Sequence, residues 1–120
     1  MSTGGRTPEE LETLFEDALL IRDPRVLAGL FEAGAVLVVG DERPAHGGEE
    51  IARLALATWD GDRTYVADPR RVMQARDIAL IVAEQGINVV RRGADGAWRY
   101  VIVRLSVEDG TERRKQGHRT

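Results

Sequence analysis

The sequence predicts a single α+β domain, with helices gathered in the first half and an antiparallel sheet in the second. Three observations carry this. Two helix-start signals, Thr7-Pro8-Glu9-Glu10 and Asp23-Pro24, fall within the first quarter of the chain. A third helical stripe follows at Ile51, Leu54, Ala55 and Trp59. The last third, from Arg71 to Val107, then reads as long apolar strands broken by a Gly-Ala-Asp-Gly reversal.

The first helix is set by its cap. Thr7 supplies a capping oxygen, Pro8 suits the first helical position, and Glu10 stands where it closes a capping box. Leu11, Leu14, Phe15, Ala18 and Leu19 recur at helical spacing, with Glu9, Glu12, Glu16 and Asp17 assigned mostly to the opposite side. Asp23-Pro24 repeats the device. Its helix carries Val26, Leu27, Leu30 and Phe31, with Gly34 as the expected stop.

Ala35 to Val39 is a β-branched run and reads as a strand, and GDERPAHGG as a turn or short hairpin arm. The third helix is expected from about Gly48 to Trp59, ended by Gly61. Tyr65 to Asp68 reads as a strand that Pro69 interrupts or marks as an edge. Val72 to Arg92 is too long for one strand and divides near Arg76-Asp77. The piece from Ile78 to Arg92 would still extend about 50 Å, so a bend at Gly86 is expected. Asp95-Gly96 then reverses the chain into Trp98 to Val107. The ordered core is placed at about 7–107, with 1–6 and 109–120 as flexible tails.

Composition narrows the function. A net charge of −3 argues against a nucleic-acid-binding domain, and the basic run Arg113, Arg114, Lys115, His118, Arg119 follows the last apolar residue as a solvated tail. There is no cysteine, which removes disulfides, thiolate chemistry and cysteine-built zinc sites. The two histidines are separated by most of the chain, so no metal site and no cofactor are expected. The opening MSTGGRTPEE lacks the apolar core of a secretory signal. No apolar run reaches the roughly 20 residues that span a bilayer, so no membrane partner and a cytoplasmic location are expected.

The segments FEDALLIRDPRVLAGLFEAGAVLV, PAHGGEEI and RRGADGAWRYVIVRLS, in that order and separation, resemble the nuclear transport factor 2-like superfamily and its SnoaL-like small proteins. The resemblance covers about residues 7 to 107. It implies a cone of three helices on a strongly curved, mainly antiparallel sheet, a cavity between them, and homodimers packed sheet to sheet. It implies no single activity, because the superfamily holds isomerases, cyclases, dehydratases, epoxide hydrolases and non-catalytic modules. Aligned with the ketosteroid isomerase type through Asp23 and PAHGGEEI, the chain has Phe15 at the catalytic tyrosine and Val38 at the aspartate base. Neither can do that chemistry, and a shift of a few residues is needed to make Asp41 the base.

Strand alternation then nominates a pocket. Val101, Val103, Leu105 and Val107 form one face, wholly apolar, and Trp98, Tyr100, Ile102, Arg104 and Ser106 the other. Glu84 and Asn88 share a face with Leu80 and Val82 unless Gly86 inserts a bulge. Glu84, Asp41 and His46 are the acid/base candidates. Trp59, Tyr65, Met73, Asn88, Trp98, Tyr100 and Arg104 are candidates for lining a site for a small hydrophobic molecule. Glu84 beside Arg104 reads either as a buried carboxylate or as an exposed cross-strand ion pair, and His46 either as a proton shuttle or as a surface loop residue. The wholly apolar face suits either a dimer contact through the sheet or the layer under the helices. The functions left open are an acid/base isomerase, cyclase or hydrolase, a ligand-binding module, and a dimerisation module.

Overall fold

The computed structural model describes residues 4–60, 65, 67–84 and 86–106. The expected helix stop at Gly61, the strand end at Val107 and the basic run of residues 113–119 lie outside them. Helix α1 (Pro8–Ile21) is capped as expected, the Thr7 hydroxyl accepting from the Glu10 N–H at 3.0 Å. The Glu10 carboxylate turns back to the N–H of Arg6 instead of that of Thr7. Helix α2 (Pro24–Gly29) starts at Asp23, whose carboxylate accepts from the N–H groups of Arg25 and Val26. It stops five residues before Gly34, which lies inside the next strand at φ +83°.

The strands are β1 (Phe31–Val39), β2 (Ala45–His46), β3 (Pro69–Ala75), β4 (Ile78–Ala83), β5 (Gly86–Arg92) and β6 (Trp98–Leu105). Helix α3 (Gly48–Thr58) lies between β2 and β3. The six strands form one curled, unclosed sheet in the order β2-β1-β6-β5-β4-β3. Every pairing is antiparallel except β1 with β6. The three helices cover the concave face, and Leu11, Phe15, Leu27, Leu37, Ile51, Ile81 and Val103 fill the layer between. At the far end of α1, Arg22 takes a left-handed φ of 53°. Its guanidinium donates to the carbonyls of Leu56 and Trp59 and satisfies the end of α3.

The sheet corrects three expectations. Ile78 to Arg92 is not one bent strand: Ala83 pairs with Gly86, so β4 and β5 form a tight hairpin. Gly86 is required by close approach, because a Cβ there would collide with the Arg104 carbonyl oxygen on β6. The hairpin also undoes the face shared by Asn88, Leu80 and Val82. Asn88 pairs with Ile81 on the concave side, while Leu80 pairs with Val89 on the convex side.

The simple alternation of β6 fails as well. Val90 pairs with Tyr100 but Val89 with Ile102, so Val101 is an extra residue and a β-bulge. Parity reverses there. The buried set is Trp98, Tyr100, Val103 and Leu105, while Ile102 and Arg104 face outward. Tyr65, Ala67 and Asp68 are not in a strand, and β3 begins at Pro69 on the sheet edge, where a missing N–H costs no ladder bond. Replacing Gly86 with alanine should destabilise the fold by about 2–4 kcal/mol, read as a lower denaturant midpoint with an unchanged slope.

Candidate functional site

Helix α1 buries Pro8, Leu11, Glu12, Phe15, Ala18 and Leu19. Positions 8, 12, 15 and 19 follow helical spacing, so Glu12 stands within the apolar stripe and points into the cone. Its relative exposure is 0%. Three side chains from other parts of the chain donate to it. The Tyr65 hydroxyl donates to Oε1 at 2.6 Å, and the Tyr100 hydroxyl to Oε2 at 2.7 Å. The Asn88 amide nitrogen donates to Oε2 at 2.8 Å. No basic side chain pairs with this carboxylate among the described residues. Asn88 Oδ1 is buried and has no hydrogen-bond partner among the described residues.

Rings close the group. Phe15, one helical turn beyond Glu12, meets Tyr65 edge to face with centroids 4.9 Å apart, Tyr100 at 5.5 Å and Trp59 at 5.7 Å. Phe31 packs on Tyr100 at 5.1 Å. Burial, with the Glu12 charge and hydrogen bond beside it, pushes the Tyr65 hydroxyl far above the usual phenol range, and the same causes raise Tyr100. Both phenols therefore remain donors throughout the physiological range. Both hydroxyls and one Asn88 N–H are spent on one carboxylate, and what is left over is the second Asn88 N–H, Asn88 Oδ1 and the remaining carboxylate lone pairs.

The structure brings together Tyr65, Asn88, Tyr100 and Trp59 of the residues nominated from sequence. It does not gather the others. Glu84 is exposed at the β4–β5 reversal and pairs with Arg70 at 2.9 Å, not with Arg104. Arg104 is exposed on the convex face because of the bulge at Val101, and Met73 is exposed on β3. Asp41 and His46 are exposed, the first beyond β1 and the second on β2. Trp98 is buried but separate, bridged to Gly5 and covered by the Arg92 guanidinium 5.5 Å from its ring centroid. Val38 pairs with Arg104, outside the cone. Glu12 itself was missed from sequence, although its spacing from Pro8, Phe15 and Leu19 placed it on the buried stripe. A surface groove of about 510 Å³ runs between Gly4–Arg6 and Asp95–Ala97, and no residue of the Glu12 group lines it.

Solved structures share this architecture. An NTF2-like protein with a cystatin-like fold from Novosphingobium aromaticivorans superposes with a TM-score of 0.67 at 17% identity, covering 90% of this chain and 84% of that one. The chain has the nuclear transport factor 2-like fold. A ketosteroid isomerase-like protein from Erwinia carotovora atroseptica shares the fold at 18% identity and a TM-score of 0.61, over 78% of this chain and 88% of that one. A candidate calcium/calmodulin-dependent protein kinase type II association domain from Thiobacillus denitrificans matches at 18% identity and 0.69, over 88% and 98%. Neither a family model nor a curated protein matches the sequence. Among the described residues, no helix is long and apolar enough to cross a membrane, and no cluster of metal-ligating side chains occurs.

Tyr65 and Tyr100 are the only tyrosines in the chain, which makes their environment directly measurable. Both hydroxyls are raised in the folded state above the unfolded value of 10.0, so their contribution to stability is complete below that pH and is lost above it. Above pH 10 stability should fall by about 2.7 kcal/mol per pH unit, two protons at about 1.4 each. Ultraviolet difference titration should show no tyrosinate until the chain unfolds. A normal phenol titration in the folded protein would contradict the hydrogen-bonded arrangement.

Proposed function

We propose that the domain holds a small, largely apolar molecule inside the cone, with Glu12 as the polar group that orients it. The observation that carries this reading is a carboxylate at zero exposure with no cation paired to it among the described residues. Burying such a group costs several kcal/mol relative to water, and a leucine would join helix to sheet at lower cost. Groups kept against that cost are concentrated at functional sites. The composition of the group supports the same reading, since aromatic side chains with a few convergent polar groups suit small molecules.

A second reading, acid/base chemistry as in an isomerase, cyclase or hydrolase, draws on one feature. Glu12 Oε1 accepts only one hydrogen bond in the structure and has a lone pair left to take a proton. Against it stands the spending of both phenol protons on Glu12, which leaves neither tyrosine hydroxyl free to stabilise a developing oxyanion. Binding without turnover is therefore the reading we favour. The two separate in deuterium oxide. Glu12-dependent exchange of the protons beside the carbonyl of an enolisable cyclic ketone, lost in Glu12→Gln, would establish turnover. We expect no exchange above the buffer rate, together with a rise in melting temperature on adding small apolar ligands. If no member of a broad apolar panel moved that temperature, the binding reading would fail.

The convex face supports a homodimer. Met73, Leu80, Val89, Ile102 and Val36 run across five strands in register, with Val82, Ile87 and Val38 in the next row. Ile87 is 48% exposed and Ile102 45%; Arg71 ends the second row and Arg104 interrupts it between Ile87 and Val38. An exposed apolar sheet face of this extent suits a second copy of the same face about a two-fold axis. Sedimentation should show a dimer at micromolar concentration and a monomer for Ile102→Glu. A wild-type monomer under those conditions would refute the assignment.

A further inference from the structure

We propose that the group recognised at Glu12 is a small organic cation, a primary or secondary ammonium carried on an apolar body. This rests on the binding reading above and narrows it to a ligand class. Three features of the site point the same way.

The first is charge. All the ion pairs recorded among the described residues are on the surface, while the buried carboxylate has two hydroxyls and an amide as its partners. A carboxylate in that position lacks a counter-charge among the described residues, and a bound ammonium supplies one. The second is hydrogen-bond capacity. The Tyr65 and Tyr100 protons and an Asn88 N–H are already committed to Glu12. What remains is one further Asn88 N–H and two acceptors, the buried Asn88 Oδ1, unpartnered among the described residues, and the free lone pair of Glu12 Oε1. Acceptor sites therefore outnumber donors. A carbonyl or carboxylate ligand would add a further acceptor, whereas an ammonium brings two or three donors and no lone pair. Such charge-assisted bonds are also the stronger kind.

The third is the surrounding surface. Phe15, Trp59, Tyr65 and Tyr100 gather π-systems around the carboxylate, and aromatic faces attract a desolvated cation. They also suit the apolar body that carries it. Carboxylate, orphan acceptor and rings thus share one polarity, opposite to that of a site built to stabilise an oxyanion.

The test uses four probes of one shape: benzylamine, benzyl alcohol, acetophenone and benzoate. Each is titrated into the full chain while the emission of Trp59 is followed, with Trp59→Phe identifying its share against Trp98. Benzylamine should bind about tenfold or more tightly than benzyl alcohol, the size expected for one added charge-assisted bond, and benzoate should bind weakest. In Glu12→Gln, checked for folding by circular dichroism, the preference for the amine should fall to about twofold or less. If Glu12→Gln does not fold, the amine-to-alcohol ratio in the wild-type chain decides alone. Equal or tighter binding of the alcohol or ketone would overturn the cation assignment and leave the binding reading intact. Amine binding that persists undiminished in a folded Glu12→Gln chain would also overturn it. Failure of all four probes to bind would defeat both.

Discussion

The structure depends on one shared proton acceptor. The Glu12 carboxylate joins α1 to β5 through Asn88, to β6 through Tyr100, and to Tyr65 in the segment that follows α3. Bonds to a charged acceptor are each worth about 1.5–3 kcal/mol when made, and the donors are expensive to leave unsatisfied. The arrangement is therefore close to all-or-none. Removing the carboxylate strands two buried hydroxyls and an amide, while removing one donor leaves the charge less solvated. A polar network of this kind fixes where α1 sits along the sheet more narrowly than Leu11 and Phe15 could by packing alone.

That constraint explains the disposition of the rings. Tyr65 and Tyr100 donate to different oxygens of Glu12, and Phe15 contacts both. The aromatic cluster is in effect held by its two hydroxyls. Arg22 acts at the other end of the helices, holding the last turn of α3 through the carbonyls of Leu56 and Trp59. Trp59 is consequently anchored by its backbone at one end and by the rings of Phe15 and Tyr65 at the other.

Much of the fold was legible in the sequence, because its signals were local. Thr7-Pro8 and Asp23-Pro24 mark helix starts through capping chemistry that needs no knowledge of the rest of the chain. Asp95-Gly96 marks a reversal in the same way, with Gly96 at φ +82°. The errors arose where tertiary contact decides. The bulge at Val101 is unmarked by any glycine or proline, yet it exchanges the two faces of β6 from Ile102 onward. Gly86 was read as a kink because its real reason, the approach of the Arg104 carbonyl, lies on another strand. Tyr65, Asn88 and Tyr100 were nominated as lining. Their common partner was set aside because a glutamate among Glu9, Glu16 and Asp17 reads as part of a solvated face. The helical spacing said otherwise.

The place of β6 has a consequence for how the chain comes to be folded. It is the last strand described, yet it lies between β1 and β5 and joins the β2–β1 pair to the β5–β4–β3 set. Tyr100, which it carries, is 88 residues from Glu12 in sequence. A nascent chain that has made everything up to β5 therefore holds two unjoined fragments, one built on β1 and β2 and the other on β3 to β5. Each presents an open strand edge, and the buried carboxylate lacks one of its three donors. Closure is postponed until translation is nearly through this region, which makes the domain a late, high-contact-order folder. Its edges depend on protection in the interval.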